Sequence, residues 1–438
     1  MQNYHFRFIH NQIFNHWNTF HIHEYFTLAV EIKNIMKKLL LPFILLYTNT
    51  LLAFNITPTT QVSLITCGCG NEVYSVYGHT ALRIKDTVQK TDVVINYGLF
   101  SMGSDDFLYK FVKGETDYMV GASNFESFIE EYDYDKRNVY ENELNLSDSS
   151  KQALVSYIIW NLQPENREYR YKYFSDNCAT RIRNLLERSA NITWNTSKLK
   201  RNNLPGNSEF APIVADYWKN NTQYTFRDMI TIYQQKIPWI DYGIHFAMAA
   251  PSDKHLDYRA AMFIPDFLME AVQNGTIRIN GKIIPPAKPA KTLLVFKPTE
   301  PYKSLLLHPK FIVLITFFVL LVVSIWGYFR KKHYRIIDFI LLLFNGLLGL
   351  LLFYLTFFSV HESLSPNYNL LWALPVNILM AFIVLFSKKI YTYYAYFIIV
   401  LYGLFFLCLA FLPQHFSFFQ LVIPIIILVR FLKFSLSK

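Results

Sequence analysis

The chain is organised around the stretch YFSDNCATR, residues 173–181. A polar turn there leads into an amphipathic segment whose apolar residues recur at helical spacing. Asp176 or Ser175 is a suitable N-cap, which would place Cys178 in the first helical turn. Because the partial positive charge of a helix start favours a thiolate over a thiol, we predict that Cys178 is a nucleophile.

The base that this nucleophile needs is predicted in VYGHTALRI, residues 76–84, about 100 residues upstream. His79 begins an alternating segment typical of a β-strand, and a second alternating segment follows at residues 92–97. We expect the two strands to pair antiparallel, so that Asn96 reaches the imidazole and fixes its tautomer. Glu72 is the second candidate for this orienting role.

Taken singly, Cys178 is explained as a buried thiol, His79 as a satisfied core histidine and Asn96 as a strand-end turn residue. Together they match what a papain-like cysteine hydrolase requires: a thiolate, a base, a group that orients the base, and backbone N–H donors at the helix start. The combination predicts an α+β fold, a circularly permuted papain-like (NlpC-like) domain in which the histidine precedes the cysteine. The third catalytic member is left open.

Apolar residues are unevenly distributed along the 438-residue chain, which is 52% hydrophobic and has 39 Phe and 30 Tyr. From residue 311 onward the sequence is almost wholly apolar, which predicts an all-α membrane domain after a water-soluble one. We predict five transmembrane helices, at residues 311–329, 336–358, 370–386, 390–412 and 416–432. The predicted domains are a catalytic domain at 55–200, a helical extracytoplasmic extension and linker at 201–305, and the transmembrane domain at 306–438.

Basic residues follow the first, third and fifth predicted spans, whereas the junctions at 359–369 and 413–416 contain no Lys or Arg. The positive-inside rule therefore places the first set in the cytoplasm and the catalytic domain outside it, in the periplasm beside the bacterial inner membrane. This orientation explains much of the formal charge of +10. We expect no nucleic-acid partner, because no basic-aromatic binding module is evident.

A secretory signal peptide is predicted at residues 36–54. Met36 and two lysines form a positive n-region, and a short apolar run from Leu39 to Leu52 follows. Residues 1–35, which are rich in His, are predicted to be an upstream mis-start, with a metal-binding tail as the weaker alternative. A lipoprotein signal ending at Cys67 is the rival to the secretory signal, although Thr66 does not suit it.

The predicted substrate-binding residues are Arg181, Glu72, Tyr77, His361, Asn367 and Asn369. Those after residue 360 lie in the outward loop, where they could bind a lipid headgroup; membrane anchoring by Trp372 is the alternative. Arg181 could contact a phosphate, or it could belong to a solvated helix face. We expect no cofactor and no metal, since the four cysteines have neither zinc-ligand nor Cys-x-x-Cys spacing.

Seven segments together resemble the Lnb-type lipoprotein N-acyltransferases. They are LITC (64–67), VYGHTALRI (76–84), NYGLF (96–100), PENR (164–167), DNCATR (176–181), FSVH (358–361) and NYNLLW (367–372). The sequence departs from the family at Glu362, where Pro is expected after the His. The resemblance implies an inner-membrane enzyme that acylates the amine of the diacylglyceryl-cysteine of lipoproteins, with His79 and Cys178 in catalytic roles.

Three functions are consistent with these features. The first is acyl transfer from a phospholipid donor, through a Cys178 thioester, to a diacylated lipoprotein acceptor. The second is a membrane-anchored periplasmic cysteine peptidase or amidase acting on cell-wall peptides. The third is a non-enzymatic binding or assembly protein in which Cys178 is structural. We favour the first, because the resemblance extends over both the catalytic and the membrane segments.

Overall fold

The computed structural model describes residues 55–100, 106–194, 224–297 and 304–436. The signal peptide and the upstream mis-start fall on residues 1–54 and so lie outside the described residues. The predicted α+β class is confirmed: a sheet-rich domain is followed by a helical region. The permuted papain-like arrangement stays a prediction.

A seven-stranded antiparallel sheet forms the centre of the first domain, in the order β6-β4-β3-β2-β1-β5-β9. The strands are β1 Gln61–Cys67, β2 His79–Asp86, β3 Thr91–Leu99, β4 Asp117–Asn124, β5 Val139–Glu143, β6 Glu168–Arg170 and β9 Lys291–Leu294. A separate hairpin consists of β7 Ile277–Ile279 and β8 Lys282–Ile284. The expected antiparallel pairing of β2 with β3 is confirmed, with Ala81 opposite Asn96.

Helices cover both faces of this sheet. They are α1 Phe107–Lys113, α2 Phe125–Tyr134, α3 Asp148–Asn161, α4 Cys178–Ala190, α5 Phe226–Tyr233, α6 Pro238–Ala247, α7 Tyr258–Ala261 and α8 Pro265–Asn274. Helices α3 and α4 bury side chains such as Ile158 and Leu186 against Leu82 of the sheet. Helix α2 packs on the opposite face, where Phe128 contacts the cluster that contains Val94. Leu82 of β2 and Val94 of β3 therefore belong to two cores, one on each face of the sheet.

The described part of the predicted helical extension, residues 224–297, packs against the sheet domain. Helix α8 contributes Leu268 and Val272 to the core shared by α3 and α4. Strand β9 pairs with β5 and extends the main sheet. Residues 72–77, which precede β2, form hydrogen-bonded turns.

Five apolar helices follow: α9 Pro309–Phe329, α10 Arg335–Phe358, α11 Asn377–Phe386, α12 Lys388–Cys408 and α13 Phe418–Leu436. By length and composition, three segments of the described chain can cross a membrane: α9, α10, and α12 with its continuation to Phe411. Three of the five predicted spans are thus supported, and the count of five stays a prediction. The apolar helices at Asn377–Phe386 and Phe418–Leu432 are shorter.

In the predicted span at 370–386 the α-helix begins only at Asn377. The residues before it are held by hydrogen bonds to a polar side chain of a neighbouring helix. Asn345 of α10 accepts a hydrogen bond from the backbone N–H of Leu374 at 3.2 Å and another from the side chain of Asn377 at 2.5 Å. Such internal partners allow irregular backbone within a membrane domain. Gly346 and Gly349 permit the close approach, since a Cβ at either position would lie within 2.5 Å of the neighbouring backbone.

Arg430, counted among the cytoplasmic basic residues, is fully buried in the helical bundle. It pairs with Asp338 of α10 and donates to Ser324 of α9 at 3.1 Å. A paired arginine buried in the bundle does not count as a positive charge of a loop. The predicted orientation of the chain in the membrane therefore rests on the other basic junctions, at residues 330–335 and 388–389.

Candidate active site

Cys178 is the first residue of helix α4, as the sequence predicts, but the N-cap is Asn177 rather than Asp176 or Ser175. Asn177 accepts from the backbone N–H of Thr180 at 2.9 Å, and its own N–H donates to the Thr180 hydroxyl at 2.7 Å. This reciprocal capping box satisfies two N–H groups of the helix start. The Asn177 amide also donates to the carbonyl of Phe263 at 2.8 Å, which ties the cap to the segment before α8.

His79 is the first residue of β2 and follows Gly78, whose φ is +78°. A Cβ at Gly78 would lie 2.6 Å from the carbonyl oxygen of Cys67, so this tight approach requires glycine. His79 Nε2 donates to the side-chain oxygen of Asn96 at 3.1 Å. Because Nε2 carries the proton, Nδ1 is left as the acceptor nitrogen of the neutral ring.

Helix α4 packs against β2 and β3, and the sulfur of Cys178 lies within hydrogen-bond reach of the backbone N–H of Thr80, the residue after His79. Backbone N–H groups of Thr80, Ala179 and Cys178 hydrogen-bond to the sulfur and lower the pKa of the thiol. Burial has the larger effect and raises that pKa above its usual value. The net direction is opposite to the one expected from the helix start alone, because desolvation of the thiolate outweighs the donors.

Burial also lowers the pKa of the His79 imidazole to about 4, and the hydrogen bond to Asn96 opposes this shift. At neutral pH the site therefore contains a protonated thiol and a neutral imidazole instead of a preformed ion pair. A neutral imidazole can accept the thiol proton when the sulfur attacks a substrate.

A cavity of about 460 Å³ contains both Cys178 and His79. Its wall is mainly aromatic and includes Tyr77, Phe100, Phe107, Tyr118, Tyr171 and Phe263. Tyr118 and Tyr171 stack with centroids 4.3 Å apart. A cavity of this size with few polar groups suits a largely apolar ligand.

Two of the predicted substrate-binding residues line this cavity. Tyr77 lines the same cavity as Cys178 and His79, and its hydroxyl accepts from Gln234 at 2.6 Å. His361 comes from the loop after α10, and its Nε2 donates to the carbonyl of Phe111 at 2.8 Å. The membrane region thus contributes one side chain to the wall of the cavity in the periplasmic domain.

Three other predicted substrate-binding residues lie away from the cavity. Asn367 and Asn369 are buried, and both donate to the carbonyl of Phe246, at 2.8 and 3.1 Å, which fixes the loop onto α6. Their amides are thus used within the protein rather than exposed to lipid headgroups. Glu72 is exposed in the turn before β2. The side chain that hydrogen-bonds to the His79 imidazole is Asn96.

Arg181 also lies outside the catalytic cavity. Its guanidinium pairs with Asp176 at 2.7 Å and stacks on Tyr169, with 3.4 Å from the guanidinium carbon to the ring centroid. It faces a second, polar cavity of about 350 Å³ together with Lys172 and Arg188. The ion pair with Asp176 and the stacking on Tyr169 hold Arg181 at this second cavity.

Glu362 contacts the turn before Cys178, a role not predicted from the sequence. Its carboxylate accepts from the backbone N–H groups of Phe174 at 3.1 Å and Ser175 at 3.0 Å, and from the Ser175 hydroxyl at 2.7 Å. These residues form the turn that leads into α4, so the membrane loop holds the chain immediately before Cys178. An acidic residue next to His361 in an outward loop was the available signal.

Within the described ranges, no group of three or more His, Cys, Asp and Glu residues is placed to hold a metal ion. Cys67 is buried beneath the site, and burial raises the pKa of its thiol to about 12. A thiol held this firmly in its neutral form acts as a small packing residue.

The fold and the site define a protein with apolar, membrane-type helices and a sheet domain whose apolar cavity holds a cysteine and a histidine. Family models match residues 48–220 as the Lnb N-terminal periplasmic domain and residues 301–437 as the Lnb transmembrane domain. The chain belongs to the Lnb-type lipoprotein N-acyltransferase family. Searches of curated proteins and of solved structures gave no match. Family membership indicates an acyltransferase that acts on lipoproteins in a membrane context.

Proposed function

We propose that this protein transfers an acyl chain from a phospholipid to the amine of the N-terminal diacylglyceryl-cysteine of a lipoprotein, by way of a thioester on Cys178. The observation that carries the proposal is the aromatic cavity that contains both Cys178 and His79. Its apolar wall suits an acyl chain better than a cell-wall peptide, whose many amide groups would lose their hydrogen bonds with water there.

In the first half-reaction His79 Nδ1 takes the proton from Cys178 as the sulfur attacks the ester carbonyl of the phospholipid. The tetrahedral intermediate carries an oxyanion, and backbone N–H groups around the helix start are positioned to stabilise it. Collapse of the intermediate breaks the ester C–O bond. The His79 imidazolium then returns its proton to the departing glycerol oxygen, and the acyl group remains on the sulfur.

In the second half-reaction the neutral amine of the lipoprotein attacks the thioester carbonyl. His79 accepts a proton from the amine, the C–S bond breaks to leave the amide and the thiolate, and the His79 imidazolium returns its proton to the sulfur, which regenerates the thiol of Cys178. Asn96 keeps the acceptor nitrogen of His79 directed at the reacting atoms through its hydrogen bond to Nε2. The apolar wall limits the access of water, which would otherwise hydrolyse the thioester.

Membrane attachment is consistent with this chemistry, because both proposed substrates are lipids. Confining enzyme, donor and acceptor to one membrane raises their effective concentration without any additional contact. The contribution of His361 to the cavity supports a site that faces the membrane surface.

Trapping the intermediate tests the proposal. Purified protein incubated with a phospholipid labelled in its acyl chain should form a hydroxylamine-sensitive adduct that maps to Cys178. The Cys178→Ala variant should lose both the adduct and lipoprotein N-acylation. Cys408→Ala is the matched control, since that cysteine is exposed at the end of α12, and it should retain both.

Two outcomes would contradict the proposal. An adduct that persists in Cys178→Ala would remove this residue as the nucleophile. If a deletion strain still carries the amide-linked acyl chain on its lipoproteins but has altered cell-wall peptides, a peptidase or amidase would be favoured instead.

A further inference from the structure

Helix α1 presents an apolar surface at the mouth of the catalytic cavity. None of its residues is buried, and Leu108, Tyr109 and Phe111 are 71%, 57% and 45% exposed. Val73 and Tyr74, in the turn before β2, are also exposed. We call these five side chains the apolar lip. Water-soluble surfaces rarely carry such a group of large apolar residues without a partner.

The apolar lip is continuous with the inside of the cavity. Four of its members line the cavity as well as facing outward; Tyr109 is the exception. Ring contacts connect the two parts of the lip, from Tyr74 to Phe100 at 6.4 Å and from Phe100 to Phe107 at 5.8 Å between centroids. An apolar path therefore runs from the lip to the wall beside Cys178.

The lip is attached to the periplasmic end of a membrane-spanning helix. Ser359, the residue after α10, donates from its hydroxyl to the carbonyls of Val112 and Lys113 at 3.1 Å each. The backbone N–H of Val360 donates to Lys113 at 2.8 Å. Phe358, the last residue of α10, and Val360 are exposed themselves, so the apolar surface of the span continues to α1.

The charges on α1 suit a position at the interface between lipid and water. Lys110 pairs with Asp106 and Lys113 pairs with Glu115, each at 2.8 Å. Long lysine side chains can keep their ammonium groups at the level of the headgroups while neighbouring apolar residues enter the acyl region.

We propose that the apolar lip inserts into the outer leaflet of the membrane and that an acyl chain enters the cavity along it, directly from the bilayer. Continuity with α10 identifies the occupant of this surface as lipid. The passage of a donor chain rests on the proposed acyl transfer, whereas insertion of the lip does not.

Photocrosslinking in native membranes tests the insertion. A benzoyl-phenylalanine is placed at Leu108 in the full-length Cys178→Ala protein, so that turnover cannot consume the lipid. Tyr134 is the matched control position, because it is 85% exposed on α2, on the opposite face of the sheet from α4. We expect the yield of phospholipid adducts at position 108 to exceed that at 134 by roughly tenfold. Position 109 serves as a second site if the first variant does not accumulate.

Equal lipid yields at the lip and at position 134 would overturn the proposal. Adducts at the lip with protein instead of lipid would also overturn it, because they would identify a lipoprotein or another polypeptide as the occupant. The two proposals can fail separately: absence of a Cys178 adduct in the trapping experiment leaves the crosslinking result intact, and absence of crosslinks leaves the thioester chemistry intact.

Discussion

Replacing Glu362 with Ala should slow acyl transfer without preventing membrane insertion. The carboxylate accepts hydrogen bonds from two backbone N–H groups and one hydroxyl in the turn before Cys178. Hydrogen bonds to a charged group contribute about 1.5–3 kcal/mol, but this site is exposed and water can take the place of the carboxylate. We therefore assign about 1 kcal/mol to each backbone contact, or about 2 kcal/mol in all, which corresponds to a roughly 30-fold loss of rate.

The assay is mass spectrometry of lipoprotein N-termini formed by membranes that contain equal amounts of each variant. Glu362→Gln is the matched control, because its amide oxygen can still accept both N–H groups and its NH₂ can donate to Ser175; its rate should lie within about threefold of the parent. Alkylation of Cys178 by a small reagent gives a second readout and should fall with Ala but not with Gln. A Glu362→Ala protein as active as the parent, or a Gln variant as slow as Ala, would refute the clamping role.

Two further outcomes are expected. Because burial lowers the pKa of His79 to about 4, its imidazole stays neutral down to pH 5.5, and the rate of thioester formation on Cys178, measured with labelled phospholipid and no lipoprotein acceptor, should not fall between pH 8 and 5.5. The base is lost only as the pH falls through about 4; a His with the ordinary pKa of 6.5 would instead cost about tenfold in rate at pH 5.5, so a tenfold decline there would contradict the assignment. In the helical bundle, Arg430→Met should destabilise the protein by about 3–5 kcal/mol, because it leaves Asp338 buried without its guanidinium partner. Adding Asp338→Leu should restore much of the melting temperature in detergent, and a double variant as unstable as the single one would show that the pair is not the cause.

Local patterns predict much of the fold. Alternation marks β2 and β3, and helical spacing with a polar residue at the start marks α3, whose N-cap Ser147 accepts from the backbone N–H of Ser150 at 3.2 Å. These elements follow from side-chain periodicity, which a sequence displays directly. Strand β4 was missed because its residues, 117–124, alternate weakly and continue without a break into helix α2.

The candidate site was partly predictable for the same reason. A cysteine at a helix start, a histidine at a strand start and an amide on the adjacent strand are local features, and pairing of β2 with β3 brings His79 to Asn96. The sequence offers several adjacent polar residues as N-cap, and in the folded chain Asn177 takes that position and also donates to Phe263, a residue far along the chain.

The sequence by itself determined the nucleophile and base candidates, the α+β class and the presence of a membrane region, because each depends on residue type and short-range spacing. Only the tertiary structure decided which residues share the cavity, since burial and charge neutralisation depend on partners distant in sequence. In the folded chain Asn367, Asn369 and Arg181 lie away from the cavity, held by other partners. Glu362 contacts the turn before Cys178. The pKa direction of Cys178 was settled in the same way, because desolvation by the folded chain exceeds the local effect of one helix end.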